Sequence, residues 1–216
     1  MNNILRKTFI TLITLGILFG TAWTVQAQEP TGGPALHFRA AADYSASFNG
    51  LGVLVMQNGE IIFEEYHRNY TENSSSHVAS VTKSFWGPTV ALMIQEGILQ
   101  GFDQKASEVL TEWADNQDKK DITIRHLMTL SSGLSNDVEL RAVTGWRGNL
   151  YDFAVNNTSL ESKPGEKFEY GPASYYVLGA LMNRALANSG SQYGTFLEYL
   201  NAKLFSPIGI IYALAA

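Results

Sequence analysis

In the stretch HVASVTKSFW, residues 77–86, Ser80 and Lys83 stand three apart. On a helix beginning at Ser80, that spacing puts both side chains on one face, about one turn apart. A lysine amine beside a serine hydroxyl is one way to activate an oxygen nucleophile without histidine. The same residues also read as a helix N-cap followed by a solvated charge, since serine is a common cap. Chance alone supplies roughly 0.6 Ser-x-x-Lys tetrads in a chain of this composition, so the tetrad by itself discriminates little. Tyr170, in FEYGPAS, is the other candidate. It follows a short extended piece and precedes a helix, a corner where a side chain can face a cleft. A tyrosine near an ammonium group can have its pKa lowered and then accept or pass a proton. A packed aromatic, one of 10 tyrosines, is the plainer reading.

Other chemistries lack their residues. The histidines His37, His67, His77 and His126 form no metal-ligand spacing, and no His-Glu-x-x-His occurs. With no cysteine, disulfides, thiolate metal sites and a cysteine nucleophile are excluded. Neither a Gly-x-Ser-x-Gly elbow nor a phosphate-cradling glycine loop is present. No cofactor and no metal are expected. A net charge of −5, a pI near 5.4 and the lack of any basic run argue against nucleic acid as a partner.

The elements that must position Ser80, Lys83 and Tyr170 are partly legible. ALHFRAAADYSASF reads as a first helix with an apolar stripe of Leu36, Ala40, Ala41 and Tyr44. Two β-rich runs, 51–56 and 61–66, flank Asn58-Gly59, the strongest short-range hairpin signal. A helix is predicted from Ser80 through Val81, Phe85, Val90, Met93, Ile94 and Leu99, closed by Gly97 or Gly101. Pro88 lies inside it and should kink it or cost about 3 kcal/mol. FDQKASEVLTEW reads as a short helix, and DITIRHLMTLSSGLS as a turn, a helix of one or two turns, and a Ser/Gly loop. Pro164-Gly165 marks a turn before an extended piece at 167–170. A long helix over 173–187 follows, its stripe Tyr176, Leu178, Leu181, Met182 and Leu186, and YGTFLEYLNAKLFSPIGI closes with a helix and turn. No third strand of good length follows residue 66, although a lone hairpin is only marginally stable.

At 216 residues, 45% of them hydrophobic and 16% charged, the chain suits one globular domain. Arg6 and Lys7 precede an apolar stretch at about 9–23 and a Val-Gln-Ala end, the pattern of a signal peptide over 1–27. Residues 28–48 then form a lead-in and first helix, and 49–216 the body. Export to a periplasmic or secreted location follows, with no membrane span after signal removal; a lack of cysteine suits an oxidising compartment.

Taken in order, the segments resemble the serine β-lactamase and penicillin-binding-protein superfamily, above all its class C-like branch of esterases, D-stereospecific peptidases and amide hydrolases. GVLVMQNGEIIFEEYH is similar to its opening hairpin and VASVTKSF to its nucleophile helix. EGILQGFDQKASEVLTEW, ITIRHLMTLSSGL, PGEKFEYGPASYYVLGALM and LFSPIGI resemble its later motifs. The resemblance implies an α+β, β-lactamase/transpeptidase-like fold, incomplete: an N-terminal hairpin plus the helical subdomain, with the C-terminal sheet strands missing. It implies Ser80 as the acylated nucleophile, its N–H half of an oxyanion hole, Lys83 as proton acceptor with its pKa lowered by burial, and Tyr170 as proton shuttle. Pro172 occupies the substrate-binding position where the family's Tyr-x-Asn pattern has asparagine. Proline has no amide to offer a substrate, which favours an ester or other small amide over a β-lactam; a peptidoglycan-like compound belongs to that class. Leu130 replaces a loop histidine. The family continues past SPIGIIYALAA, so a truncated chain is expected. The reading is a serine hydrolase working through an acyl-enzyme; its alternatives are a non-catalytic penicillin-binding sensor or an inactive fragment.

Overall fold

The computed structural model describes residues 34–137 and 148–210, so the expected signal peptide at 1–27 lies outside the described residues. The chain divides between residues 74 and 75 into two compact units.

The first unit holds helix α1 (Pro34–Ser47) and an antiparallel hairpin of β1 (Gly52–Gln57) and β2 (Glu60–Tyr66). Asn58 and Gly59 both have positive φ, +52° and +86°, the backbone of a tight two-residue turn whose twist matches the flanking strands. The register runs from Gly52↔Tyr66 to Gln57↔Glu60, with an irregularity between Val55 and Met56. Val53, Val55, Phe63 and Glu65 are half-buried, and Phe38 of α1 packs on Phe63 with ring centroids 5.8 Å apart. The buried stripe of α1 differs from expectation. Ala42 is buried and Phe38 and Ser45 half-buried, while Ala40 and Ala41 are exposed and Tyr44 is 69% exposed. A helix this rich in alanine offers more than one weakly apolar stripe, and the aromatic contact to Phe63 selects among them.

In the second unit, the helix predicted from Ser80 is instead a 3-10 segment, Ala79–Phe85, running into helix α2, Trp86–Gln95. Pro88 therefore falls in the first turn of α2, where an N–H has no intrahelical partner to lose, and the expected kink does not arise. Gly97, at φ +72°, ends α2, and the Ile98 N–H closes the terminus on Met93 O at 2.9 Å. FDQKASEVLTEW forms two 3-10 turns, Ala106–Glu108 and Thr111–Trp113, rather than one helix. The second seats Trp113, fully buried, with its Nε1–H donating to Val155 O at 2.9 Å.

Helix α3 (Ile124–Met128) begins at a capping box of Thr123 and His126. Helix α4 (Leu150–Asn157) was not anticipated; its sequence cue is Asn149, whose side chain accepts from the Tyr151 and Asp152 N–H groups. Helix α5 (Ala173–Ser189) runs through the middle of the core, burying Val177, Leu178, Leu181, Met182 and Leu186, and Tyr176 is half-buried. Helix α6 (Phe196–Leu200) starts at a Thr195/Glu198 capping box and continues through a π-helical turn, Asn201–Phe205, into a 3-10 turn, Ser206–Ile208. Among the described residues the single sheet is the two-stranded hairpin, and 167–170 joins no strand.

Candidate active site

Ser80 and Lys83 sit in the 3-10 segment ahead of α2. Lys83 Nζ donates to Ser80 Oγ at 3.1 Å, so the three-residue spacing does bring the two groups together. A 3-10 helix stacks i over i+3 more directly than an α-helix does, which shortens this contact. Ser80 is exposed and Lys83 half-buried, short of the burial expected for the lysine, because the segment carries no buried residue. Directly before Ser80, Ala79 adopts φ +44°, a conformation costly for a residue with a Cβ and frequent where a site is over-determined by its surroundings.

The segment is held from behind by rings. Phe85 meets Phe205 edge-on with centroids 5.0 Å apart. Trp86 packs on Phe196 at 4.5 Å and edge-on to Tyr175 at 5.3 Å.

Tyr170 comes to the same place from the far side of the sequence. Lys83 Nζ lies 5.2 Å from the centroid of the Tyr170 ring and 5.4 Å from that of Tyr175. Both are within the range where a ring's quadrupole attracts a cation. Tyr170 is 58% exposed, at an open corner as expected. Tyr175 was not singled out from sequence. Its hydroxyl donates to Met128 O at 3.1 Å, and burial first, then neighbouring Tyr170, pushes its phenol above the ordinary range. Its only sequence signal was its place early in a helix just after Tyr170.

The loop after α3 fastens the Tyr170 segment. Gly165 N–H donates to Ser131 O at 2.8 Å and Glu169 N–H to Leu130 O at 2.8 Å. Leu130, where a histidine was expected, is buried with φ +56°, so its position serves the backbone path that presents this carbonyl. Ser132 and Ser174, both buried, share a hydrogen bond at 2.8 Å. Asn136 accepts from the Ala173 N–H at 3.3 Å. Pro172 is half-buried at the N-cap of α5 and contributes no capping hydrogen bond.

The arrangement is thus a hydroxyl, an amine and a phenol ring around one exposed corner of a helical body. The chain belongs to the beta-lactamase family, whose family model matches residues 37–211. The protein flp of Staphylococcus aureus strain MW2 is 28% identical over 158 residues, covering 68% of this chain and 32% of that relative. This chain therefore spans about a third of that relative's length. Among solved structures, the octameric penicillin-binding protein homologue from Pyrococcus abyssi aligns with TM-score 0.63 at 19% identity, over 82% of this chain and 43% of that one. The D-amino acid amidase from Ochrobactrum anthropi SV3, complexed with L-phenylalanine amide, aligns with TM-score 0.61 at 18% identity, over 81% and 51%. These two likenesses establish the fold.

Proposed function

We propose that this chain carries the nucleophile part of a serine hydrolase that acts by acyl transfer on a small ester or amide. The observation that carries the reading is the meeting of Ser80 Oγ, Lys83 Nζ at 3.1 Å and the Tyr170 ring at 5.2 Å from that nitrogen. Ser80 Oγ attacks the substrate carbonyl carbon and its proton passes to Lys83 as the free amine. The tetrahedral oxyanion forms beside the Ser80 N–H. The carbon–nitrogen or carbon–oxygen bond then breaks, and Tyr170 delivers a proton to the departing group. Water, activated by the same groups, attacks the acyl-enzyme and releases the acid. The D-amino acid amidase likeness supports an amide of that size, a peptidoglycan-like fragment among the candidates, and Pro172, with no side-chain amide, supports an ester or simple amide over a β-lactam. Arg6, Lys7 and the apolar stretch after them support export.

The test is intact-mass analysis of the chain treated with a fluorophosphonate. One adduct on Ser80 is expected, and none in Ser80→Ala. Equal labelling of both, or labelling of neither, sinks the reading. A stoichiometric burst with an activated ester but no steady hydrolysis would mark a binding sensor instead.

A further inference from the structure

We infer that Asn136 is a positioning residue for Tyr170, holding the chain on both sides of it from a loop distant in sequence; this rests on the proton-shuttle role proposed for Tyr170. Its amide grips the chain on both sides of that residue. Oδ1 accepts from the Ala173 N–H at 3.3 Å, and Nδ2 donates to Glu169 Oε1 at 3.5 Å. Ala173 is the first residue of α5, one of the N–H groups a helix leaves without an internal partner. An N-cap side chain reaches the second or third N–H rather than this first one, and Pro172 offers no acceptor in any case. Asn136 satisfies the Ala173 N–H from across the fold.

Gly171 shows how close the fit is. A Cβ placed there would lie 1.9 Å from Asn136 Oδ1, 2.1 Å from its Cγ and 2.3 Å from its Nδ2. Any side chain at 171 would evict the amide. Tyr170 thus sits between a residue that Asn136 bonds and a glycine it presses against, while Leu130 O holds Glu169 N–H at 2.8 Å. The backbone of 169–173 is fixed at both ends, and with it the origin of the Tyr170 side chain. An error near 1 Å in such a placement is enough to cost about 100-fold in rate.

Hydrogen exchange followed by NMR reads the clamp without any activity. The Ala173 amide should exchange roughly fivefold faster in Asn136→Ala, the scale of losing one cap. Asn136→Asp, which keeps an oxygen acceptor, should retain protection, and Gly171→Ala should reproduce the loss. Unchanged exchange in Asn136→Ala overturns the inference. The positioning role is read from fluorophosphonate labelling. Asn136→Ala should slow it roughly 10- to 100-fold in the native background and less than about twofold in Tyr170→Phe, since both act through one group. Multiplying effects mean that Asn136 acts on the fold at large and overturn the role. Wild-type chain that takes no label removes the functional reading and the role together, whereas labelled wild type with a multiplying cycle removes the role alone.

Discussion

At the residue scale, the amine of Lys83 is the group whose loss separates chemistry from packing. It is half-buried, donates to Ser80 and lies against two tyrosine rings. Lys83→Met keeps the stem and removes the amine proposed as base, so Ser80 labelling should fall by roughly 10²–10⁴ while the unfolding midpoint moves little. Stopped-flow labelling and a thermal melt on the same sample decide it; a collapse of both would make Lys83 a structural residue. Tyr170→Phe should lower the same rate by less, because the ring against Lys83 Nζ is kept and only the hydroxyl is lost. Neither Asn136 nor Tyr175 was legible in the sequence. Each acts through contacts to residues distant in the chain, and asparagine in a polar loop or one tyrosine among 10 carries no local mark of that.

At the scale of elements, the second unit is held by α5 and by the groups that pin other elements around it. Trp113 fills the core from a 3-10 turn and bonds Val155 O at the end of α4. Trp113→Ala should cost roughly 3–5 kcal/mol in urea denaturation, chiefly from the cavity, since Val155 O keeps the Lys119 Nζ donor at 3.4 Å. A smaller network ties α2 to α6. Glu96, just past α2, accepts from Tyr199 at 3.0 Å and pairs with Lys203 at 2.7 Å. The Lys203 hydrogen bond chiefly, and that from Tyr199, hold the Glu96 carboxyl below its ordinary value despite partial burial. The unfolded chain therefore takes up this proton first as pH falls. The stabilisation is complete above about pH 4.5 and is lost as pH drops through the lower folded value. Glu96→Gln should melt earlier than wild type at neutral pH, with the gap narrowing on acidification below that point. A gap that stays constant from neutral pH to about pH 3 would mean the carboxylate charge contributes nothing there.

At the scale of the whole molecule, the hairpin of the first unit offers exposed apolar side chains, and among the described residues its outer strand edges pair with no further strand. Leu54, Met56, Ile61 and Ile62 are exposed, Met56 at 58%. Edges and faces of this kind promote association between copies. Light scattering at rising concentration should show self-association of the chain, and Met56→Lys with Leu54→Thr should suppress it without lowering the unfolding midpoint. Equal scattering by the variant would show that the hairpin does not drive it.

Some of this was settled by local chemistry alone. Asn58-Gly59 between two β-rich runs is enough to turn a hairpin, and apolar residues at helical spacing are enough to place α5. The order of the motifs was enough to single out Ser80, Lys83 and Tyr170. Tertiary structure decided the rest. It made the Ser80 segment a 3-10 helix, whose side chains stay out of the core except for Phe85 at its end, half-buried like Trp86 after it. It chose the packed stripe of α1 through Phe63. It carried Tyr170 to Lys83 and set Asn136 over Gly171. Such pairings depend on which surfaces of distant elements meet, and no periodicity within a single segment encodes that.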